Sequence, residues 1–396
     1  MSPSPPSSNK RPPVNRVQPS LLRSLNERAV FEYILGAGET SRIEIAKTMQ
    51  ISPATVSKLV SNLQNQGLVN IGNAEASGSG RPALTVAPSR TVQVLGAAIG
   101  VDQTAVVSAG LDGVIRQQVE FVNPKKYATL IDRLVESSRQ LIGSDADGQT
   151  LGLGISTPGQ VDRNRQRVYM SPNLHLLDGR PLATDVAAKL PLGVVMFHET
   201  DGTCLAEMAY GSARDLENFV MVGVYEGFGA SIVANGRLLS GSGGMAGEVG
   251  HFPVQRDGKP CGCGNRGCLE TVATDPAFAA AVSRQLGRRL TLPQVLQLSQ
   301  RGEIDVSGPL EETLAYLAMG IGGIINVTNP QAVLVCTRMF ELGDHVMPQL
   351  AEAVERHALP PLMKQCRLIR AQGDCRQGAV AGITRFLVDS LGPALN

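Results

Sequence analysis

Apolar residues recur at helical spacing from Ser20 to Gly36, where Leu21, Leu22, Leu25, Ala29, Ile34 and Leu35 predict an amphipathic helix. A polar break follows. Ser41 then offers an N-cap to the segment IEIAKTMQ, and Glu44 stands where it completes a capping box. Ile43, Ile45, Ala46 and Met49 supply the apolar face of this second helix. A new start signal comes at once, with Ser52 as N-cap and Pro53 at the first helical position. The third helix runs to a stop at Gly67, burying Val56, Leu59, Val60 and Leu63. It exposes Thr55, Ser57, Lys58 and Asn62. Two short runs, LVNIG and ALTVAP, then read as paired strands around the turn SGSGRP, with Arg81 at its tip.

Two short helices joined by a tight turn form a helix-turn-helix pattern. An ordinary helical hairpin explains the caps. It does not explain the whole order of helix, helix-turn-helix, glycine stop, strand, basic glycine-rich turn and strand. That order predicts a winged helix-turn-helix over residues 20–90, with Ser52, Thr55, Ser57, Lys58, Asn62 and Arg81 facing DNA.

Beyond Pro88 the pattern changes. Residues 94–121 read as two strands meeting at a Gly-Asp region, followed by a helix from Tyr127 to Ile142. Further apolar strands are LGLGISTPGQVD, LGVVMFHET, FVMVGVYEG and AVLVC, with helices at 203–210 and within LEETLAYLAMGIGGIINVT, stopped by Asn329-Pro330. Alternating strands and helices predict an α/β body over 91–396, with ligands at the polar strand ends.

Composition sharpens this picture. Hydrophobic residues make up 43% and charged residues 18% of the 396, which fits a globular chain of two or three domains. The net charge of +1 hides an asymmetry: residues 1–90 carry ten Lys/Arg against five Asp/Glu, and the remainder is mildly acidic. A basic head on such a body fits a polyanion-binding module. Residues 1–19, rich in Pro and Ser, predict a disordered lead without a secretory core segment. No apolar run approaches the roughly 18 residues of a membrane helix. Seven cysteines are too few for a disulfide scaffold, and their clustering points to metal ligation in a reducing cytoplasm.

The sharpest chemical signal is GEVGHFPVQRDGKPCGCGNRGCLE. His251, Cys261, Cys263 and Cys268 form a complete tetrahedral set for zinc, and four protein ligands make such a site structural. Gly262, Gly264 and Gly267 let the chain turn tightly enough for the sulfurs to converge. Cys204, Cys336, Cys366 and Cys375 read as buried small hydrophobes.

From about residue 20 onward the chain resembles the ROK family (repressors, open reading frames and sugar kinases). The resemblance is to its regulator branch, which includes xylose, N-acetylglucosamine and glucose-phosphotransferase repressors. It rests on the zinc segment, on GISTPGQVD (154–162), and on the head with its Gly-Arg-Pro junction. It implies an actin-like, ribonuclease-H-like two-lobed sugar-kinase fold behind the head, with a sugar in the cleft. Pro172-Asn173-Leu174 matches a family motif in which the Asn holds a sugar hydroxyl. Glu248-Val249-Gly250-His251 and Cys268-Leu269-Glu270 match two more, so Glu248, His251 and Glu270 join the implied sugar site. Carboxylates suit that task because charge-assisted hydrogen bonds to hydroxyls are strong.

The departures from the kinase pattern are as telling. His198-Glu199 stands where the kinases carry an Asn-Asp pair, so the carboxylate sits one methylene farther out; a shift of about 1 Å costs on the order of a hundredfold in rate. The first phosphate loop reads Ala98 to Gln103, without the family's Asp and Lys and with Asp102 added. The second has Phe228 within Gly227–Ser231, placing bulk where amides approach phosphate, and Cys336-Thr337 replaces the Gly-Gly of the adenosine contact. The resemblance therefore implies a repressor of carbohydrate-metabolism genes rather than an enzyme. Its partners are operator DNA and a sugar or sugar-derivative effector bound by Asn173, Glu199, Glu248, His251 and Glu270. Structural zinc, no ATP, no membrane contact and a homodimer or homotetramer complete the expectation. The alternative is an active ATP-dependent sugar kinase with a DNA-binding head.

Overall fold

A computed structural model describes residues 19–73, 84–143, 148–162 and 166–392. The head opens with α1 (Pro19–Ala37), a two-residue strand β1 (Thr40–Ser41), α2 (Arg42–Met49) and α3 (Pro53–Asn65). Strands β2 (Val69–Asn73) and β3 (Leu84–Pro88) follow, and β3 pairs antiparallel with both β1 and β2. Residues 74–83, which carry Arg81 and the expected wing tip, lie outside the described residues, as do residues 1–18 of the expected lead. The caps stand where the sequence puts them. Ser41 Oγ accepts from the Glu44 amide at 3.1 Å, and Ser52 Oγ from the Thr55 amide at 3.2 Å. Gln50 takes a left-handed conformation (φ 54°), which turns the chain from α2 into α3 within three residues.

The apolar faces differ in part from the sequence expectation. The buried face of α1 is Val30, Phe31 and Ile34, whereas Leu22 is 49% exposed; on α2, Ile43 is 77% exposed while Ile45 is buried. The reason is tertiary. Val30, Phe31 and Ile34 share one core with α3 and with Val380, Ile383 and Val388 of the C-terminal helix, so the body selects which side of α1 is covered.

The body contains two five-stranded sheets of the same order. The first lobe has β4 (Val92–Ile99), β5 (Gln103–Ala109), β6 (Ile115–Val122), helix α4 (Tyr127–Gly143), β7 (Gln149–Thr157), the small pair β8 (Gln160–Asp162) and β9 (Arg167–Met170), α5 (Leu182–Ala187) and β10 (Val194–His198). Its order is β6-β5-β4-β7-β10, antiparallel through β4 and parallel beyond. The segment expected as two strands makes three, because Leu111-Asp112-Gly113 turns the chain again with Gly113 at φ 78°.

After α6 (Glu199–Ala209), the second lobe repeats the plan with β11 (Phe219–Val224), β12 (Phe228–Ala234), β13 (Arg237–Leu238), helices α7 (Asp275–Leu286), α8 (Leu292–Gln300) and α9 (Ser307–Thr328), then β14 (Ala332–Thr337), α10 (Val346–Glu355), α11 (Pro360–Met363) and β15 (Arg367–Arg370). Its order is β13-β12-β11-β14-β15. Helix α12 (Cys375–Ser390) closes the chain.

The two lobes exchange helices. Helix α6 follows the first sheet but packs on β11 and β12 of the second, and α12 follows the second sheet but packs on β4, β7 and β10 of the first. The two helices meet where a Cβ on Gly378 would lie 2.7 Å from the Gly202 carbonyl carbon. Only glycine permits that approach. The buried carboxylate of Glu207 on α6 secures the joint, accepting from the backbone amides of Ser212, Gln372 and Gly373. Strand β4 is buried at every position because α4 covers one face and α12 the other. Among the described residues no helix is long and apolar enough to cross a membrane.

Candidate functional site

The first sheet ends in polar residues at its parallel edge, and these face the second lobe. The β10–α6 junction delivers His198 and Glu199 side by side. His198 caps α6, its Nδ1 accepting from the Thr200 amide at 3.2 Å. Glu199 opens the helix, and burial pushes its carboxyl above the usual range; His198 opposes that shift and Glu226 adds to it.

A cleft between the lobes is lined by Asn173, His198, Glu199, Asp201, Glu248, His251 and Glu270, with Gly227 and Met245 at its walls. The space inside it open to a water-sized molecule is about 60 Å³. Gly227 marks where the lobes converge, since Asn173 Nδ2 and Glu270 Oε2 would lie 3.4 and 3.5 Å from a Cβ placed there. All five residues expected to contact a sugar thus line one cavity. Asp201 also lines it, with an oxygen taking the Ser231 hydroxyl at 2.7 Å.

Glu248 and His251 flank one turn of 3-10 helix, so their side chains meet, with Oε2 of Glu248 3.6 Å from Nε2 of His251. The other imidazole nitrogen faces the cysteine loop and Glu270. His251 Nδ1 lies 3.6 Å from Cys261 Sγ and 3.6 Å from Glu270 Oε1. Cys263 and Cys268 sulfurs are 3.7 Å apart, and one ligand atom from each of His251, Cys261, Cys263 and Cys268 lies within 4.8 Å of the others. The loop closes through backbone bonds, Cys261 amide to Asn265 carbonyl at 2.8 Å and Gly264 amide to Cys261 carbonyl at 3.0 Å. Gly267 is obligatory here: at φ 70°, a Cβ would strike the Gln255 carbonyl oxygen. Burial pushes the Cys261 and Cys268 thiols up, so a cation entering this set displaces protons. Three sulfurs and one imidazole nitrogen at this spacing can hold a metal ion. Glu270 accepts from the Cys261 thiol at 2.7 Å, which ties a cleft carboxylate to the cysteine loop.

The loops that resemble eroded phosphate sites are closed on themselves. At the β4–β5 turn the Gly100 amide donates to the Gln103 carbonyl at 2.9 Å, and Asn123 Nδ2 donates to the carbonyls of Gly100 and Val101. Phe228, expected to place bulk at the second phosphate loop, is among the residues lining the cleft. It is 4% exposed and packed in the second-lobe core. Burial pushes the Glu226 carboxyl up, and Asp102 of the facing lobe pushes it further while Arg338 opposes. Thr337 is committed as well, donating to Asp275 at 2.6 Å.

The family model for the ROK family matches residues 94–387. The chain belongs to the ROK family. The DNA-binding transcriptional dual regulator NagC of Escherichia coli K12 is 26% identical over 386 residues, spanning 94% of this chain and 95% of that protein. The xylose repressor of Bacillus subtilis 168 is 25% identical over 354 residues, covering 88% and 91%. Among solved structures, a ROK-family transcriptional regulator, a homologue of the E. coli MLC protein, superposes with a TM-score of 0.81 at 23% identity, covering 93% of this chain and 98% of that one. A ROK glucokinase from Streptomyces griseus in complex with glucose and AMPPNP superposes at 0.66 with 20% identity, covering 73% of this chain and 97% of its own. These likenesses fix the two-lobed fold of this ROK chain. The regulator's match spans a larger share of the chain than the kinase's.

On α3 of the head, Lys58 is exposed and Ser57 half-buried. The hydroxyls of Ser52 and Thr55 lie 2.8 Å apart. Asn62 differs from expectation. It is half-buried and donates toward Glu27 of α1 at 3.4 Å, in a contact shared with Gln66 at 2.7 Å. Arg81 lies outside the described residues.

Proposed function

We propose that this chain is a DNA-binding transcriptional regulator, a repressor of carbohydrate-metabolism genes, controlled by a sugar or sugar derivative in its kinase-like cleft. The observation that carries this reading is the convergence of Asn173, Glu199, Glu248, His251 and Glu270 on one cavity in a chain that also bears a capped helix-turn-helix. Glu199, Glu248 and Glu270 accept from ring hydroxyls. His251 is shared: Nε2 faces the cleft beside Glu248, and Nδ1 faces the thiols. Zinc, held by His251, Cys261, Cys263 and Cys268, supplies a structural crosslink with no open coordination position. Glu248, His251 and Glu270 then keep their register because they flank or belong to that loop.

Effector binding favours one lobe arrangement. The exchanged helices α6 and α12 carry that difference to α1, since α12 shares a core with the head. The ligand shifts the equilibrium only by its differential affinity for the two arrangements. A homodimer or homotetramer in the cytoplasm presents paired recognition helices to a near-palindromic operator. Phosphoryl transfer finds a carboxylate at Glu199 but acidic groups at Asp102 and Glu226 where a triphosphate would lie. The test is selection of binding sites from random duplex DNA with the full chain, followed by a sugar panel on the selected complex. Enrichment of a palindrome whose complex responds to one sugar class supports the reading, and a pool that stays random overturns it.

A further inference from the structure

The cleft carries one acid more than its expected sugar contacts. Asp201 stands on the wall with Glu199, Glu248 and Glu270, and no Lys or Arg is among the lining residues. Asp201 belongs to no matched motif. The basic groups on the wall are two imidazoles, and both are engaged. His198 accepts from the Thr200 amide, while His251 has Glu248 3.6 Å from one ring nitrogen and Glu270 3.6 Å from the other. Nor would zinc in the cysteine loop add positive charge, since three thiolates outweigh its two charges. A phosphate or carboxylate on the ligand would therefore meet acid, without a guanidinium or ammonium to pair with it.

The four carboxylates are not equally held. Glu248 and Glu270 have the His251 ring between them, and Asp201 takes the Ser231 hydroxyl at 2.7 Å. Glu199 has no such partner. Among the described residues neither a hydrogen bond nor an ion pair reaches its carboxylate, and burial and Glu226 push that carboxyl up. A desolvated acid without a partner is the group that gains most from a cation. The start of a helix by itself favours anions. Here the Thr200 amide of α6 is already taken by His198, and Glu199 and Asp201 fill the first turn. What this end of the cleft lacks is positive charge.

We infer that the effector is an amino sugar whose free ammonium group sits at the start of α6, with Glu199 and Asp201 as its counter-charges, and that sugar phosphates and sugar acids are excluded. The inference rests on the reading of the cleft as a sugar site and narrows its ligand. Asn173, Glu248 and Glu270 are left to the ring hydroxyls. An ammonium meets a carboxylate with charge on both partners, and a hydroxyl with charge on one.

The test is calorimetric titration of the full chain at about pH 6.5, where such an amine carries its proton. The ligands are glucose, the analogues in which one of its hydroxyls becomes an amine, and glucose 6-phosphate. One amino analogue should bind roughly tenfold tighter than glucose, the size of one strengthened contact. Acetylating that amine should remove the advantage, and glucose 6-phosphate should bind more weakly than glucose. Asp201→Asn keeps an acceptor for Ser231 and removes one charge, so it should narrow the ratio of amino-sugar to glucose affinity severalfold. An unchanged ratio in that variant overturns the inference, as does glucose 6-phosphate binding tighter than glucose. The titrations of the native chain decide the matter even where the variant fails to fold. Glucose bound as tightly as every amino analogue sinks this inference and leaves a sugar-controlled regulator standing. A cleft that binds none of these sugars sinks both.

Discussion

In the proposed sugar site, Glu199 stands one methylene farther out than the aspartate of the kinase pattern. It opens α6 at the floor of the cleft, and burial together with Glu226 pushes its carboxyl up. A charge-assisted hydrogen bond contributes about 1.5–3 kcal/mol. Glu199→Ala should therefore weaken sugar binding by roughly ten- to a hundredfold. Calorimetric titration measures this, and unchanged affinity would remove Glu199 from the site. Asp275 offers a test of burial itself. Burial pushes its carboxyl up to about 6, against the pull of Thr337 and the Arg338 amide. An acid raised in the folded state favours folding when protonated. Its contribution is complete below the unfolded value of about 3.9 and is lost as pH rises through about 6. The stability of Asp275→Asn relative to the native chain should therefore climb between pH 4 and pH 7, by up to about 3 kcal/mol. Parallel denaturation curves across that window would contradict the assignment. At this scale the sequence was legible where residues came in motifs, as with Glu248-Val249-Gly250-His251. It was silent on Asp201, which shares the first turn of α6 with Glu199, and it placed Asn62 toward DNA without its partner Glu27, 35 positions away.

Among the elements, the cysteine loop was the most legible and α1 the least. The loop carries its ligands within eighteen residues, and its glycines are required locally, so short-range pattern suffices. Cys263→Ser should remove the metal and with it the sugar response, because His251 belongs to the ligand set and Glu270 follows Cys268 by two residues. Metal analysis beside the sugar titration checks this, and a metal-free variant with normal sugar affinity would contradict it. Helix α1 was placed correctly but its buried face only in part, at Ile34, because α12, more than 330 residues on, helps decide which side is covered. The β4–β5–β6 meander was underread by one strand because Leu111-Asp112-Gly113 is a compact turn inside an apolar run. On α3, the proposed recognition helix, Lys58 is an exposed cation. Lys58→Ala should weaken DNA binding about equally across sequences and lower the salt slope by about one phosphate contact. A change in base preference without a change in slope would assign it to the bases instead.

For the whole molecule, the alternation of strands and helices disclosed an α/β body, and the family motifs implied its two lobes. The duplicated sheet order and the exchange of α6 and α12 are properties of long-range pairing and appear only in the folded chain. That exchange joins cleft to head, since α6 begins at Glu199 and α12 shares a core with α1. The same architecture in a kinase would hold a triphosphate between the lobes. In the proposed reading, the acidic groups of Asp102 and Glu226 disfavour one here. The most direct test is titration calorimetry of the full chain with a panel of sugars, amino sugars and their phosphates, repeated in saturating Mg-ATP with the products analysed. The account expects one sugar class to bind saturably, with the same affinity whether or not Mg-ATP is present, and no phosphorylated product. Binding of Mg-ATP accompanied by turnover to a sugar phosphate would contradict it.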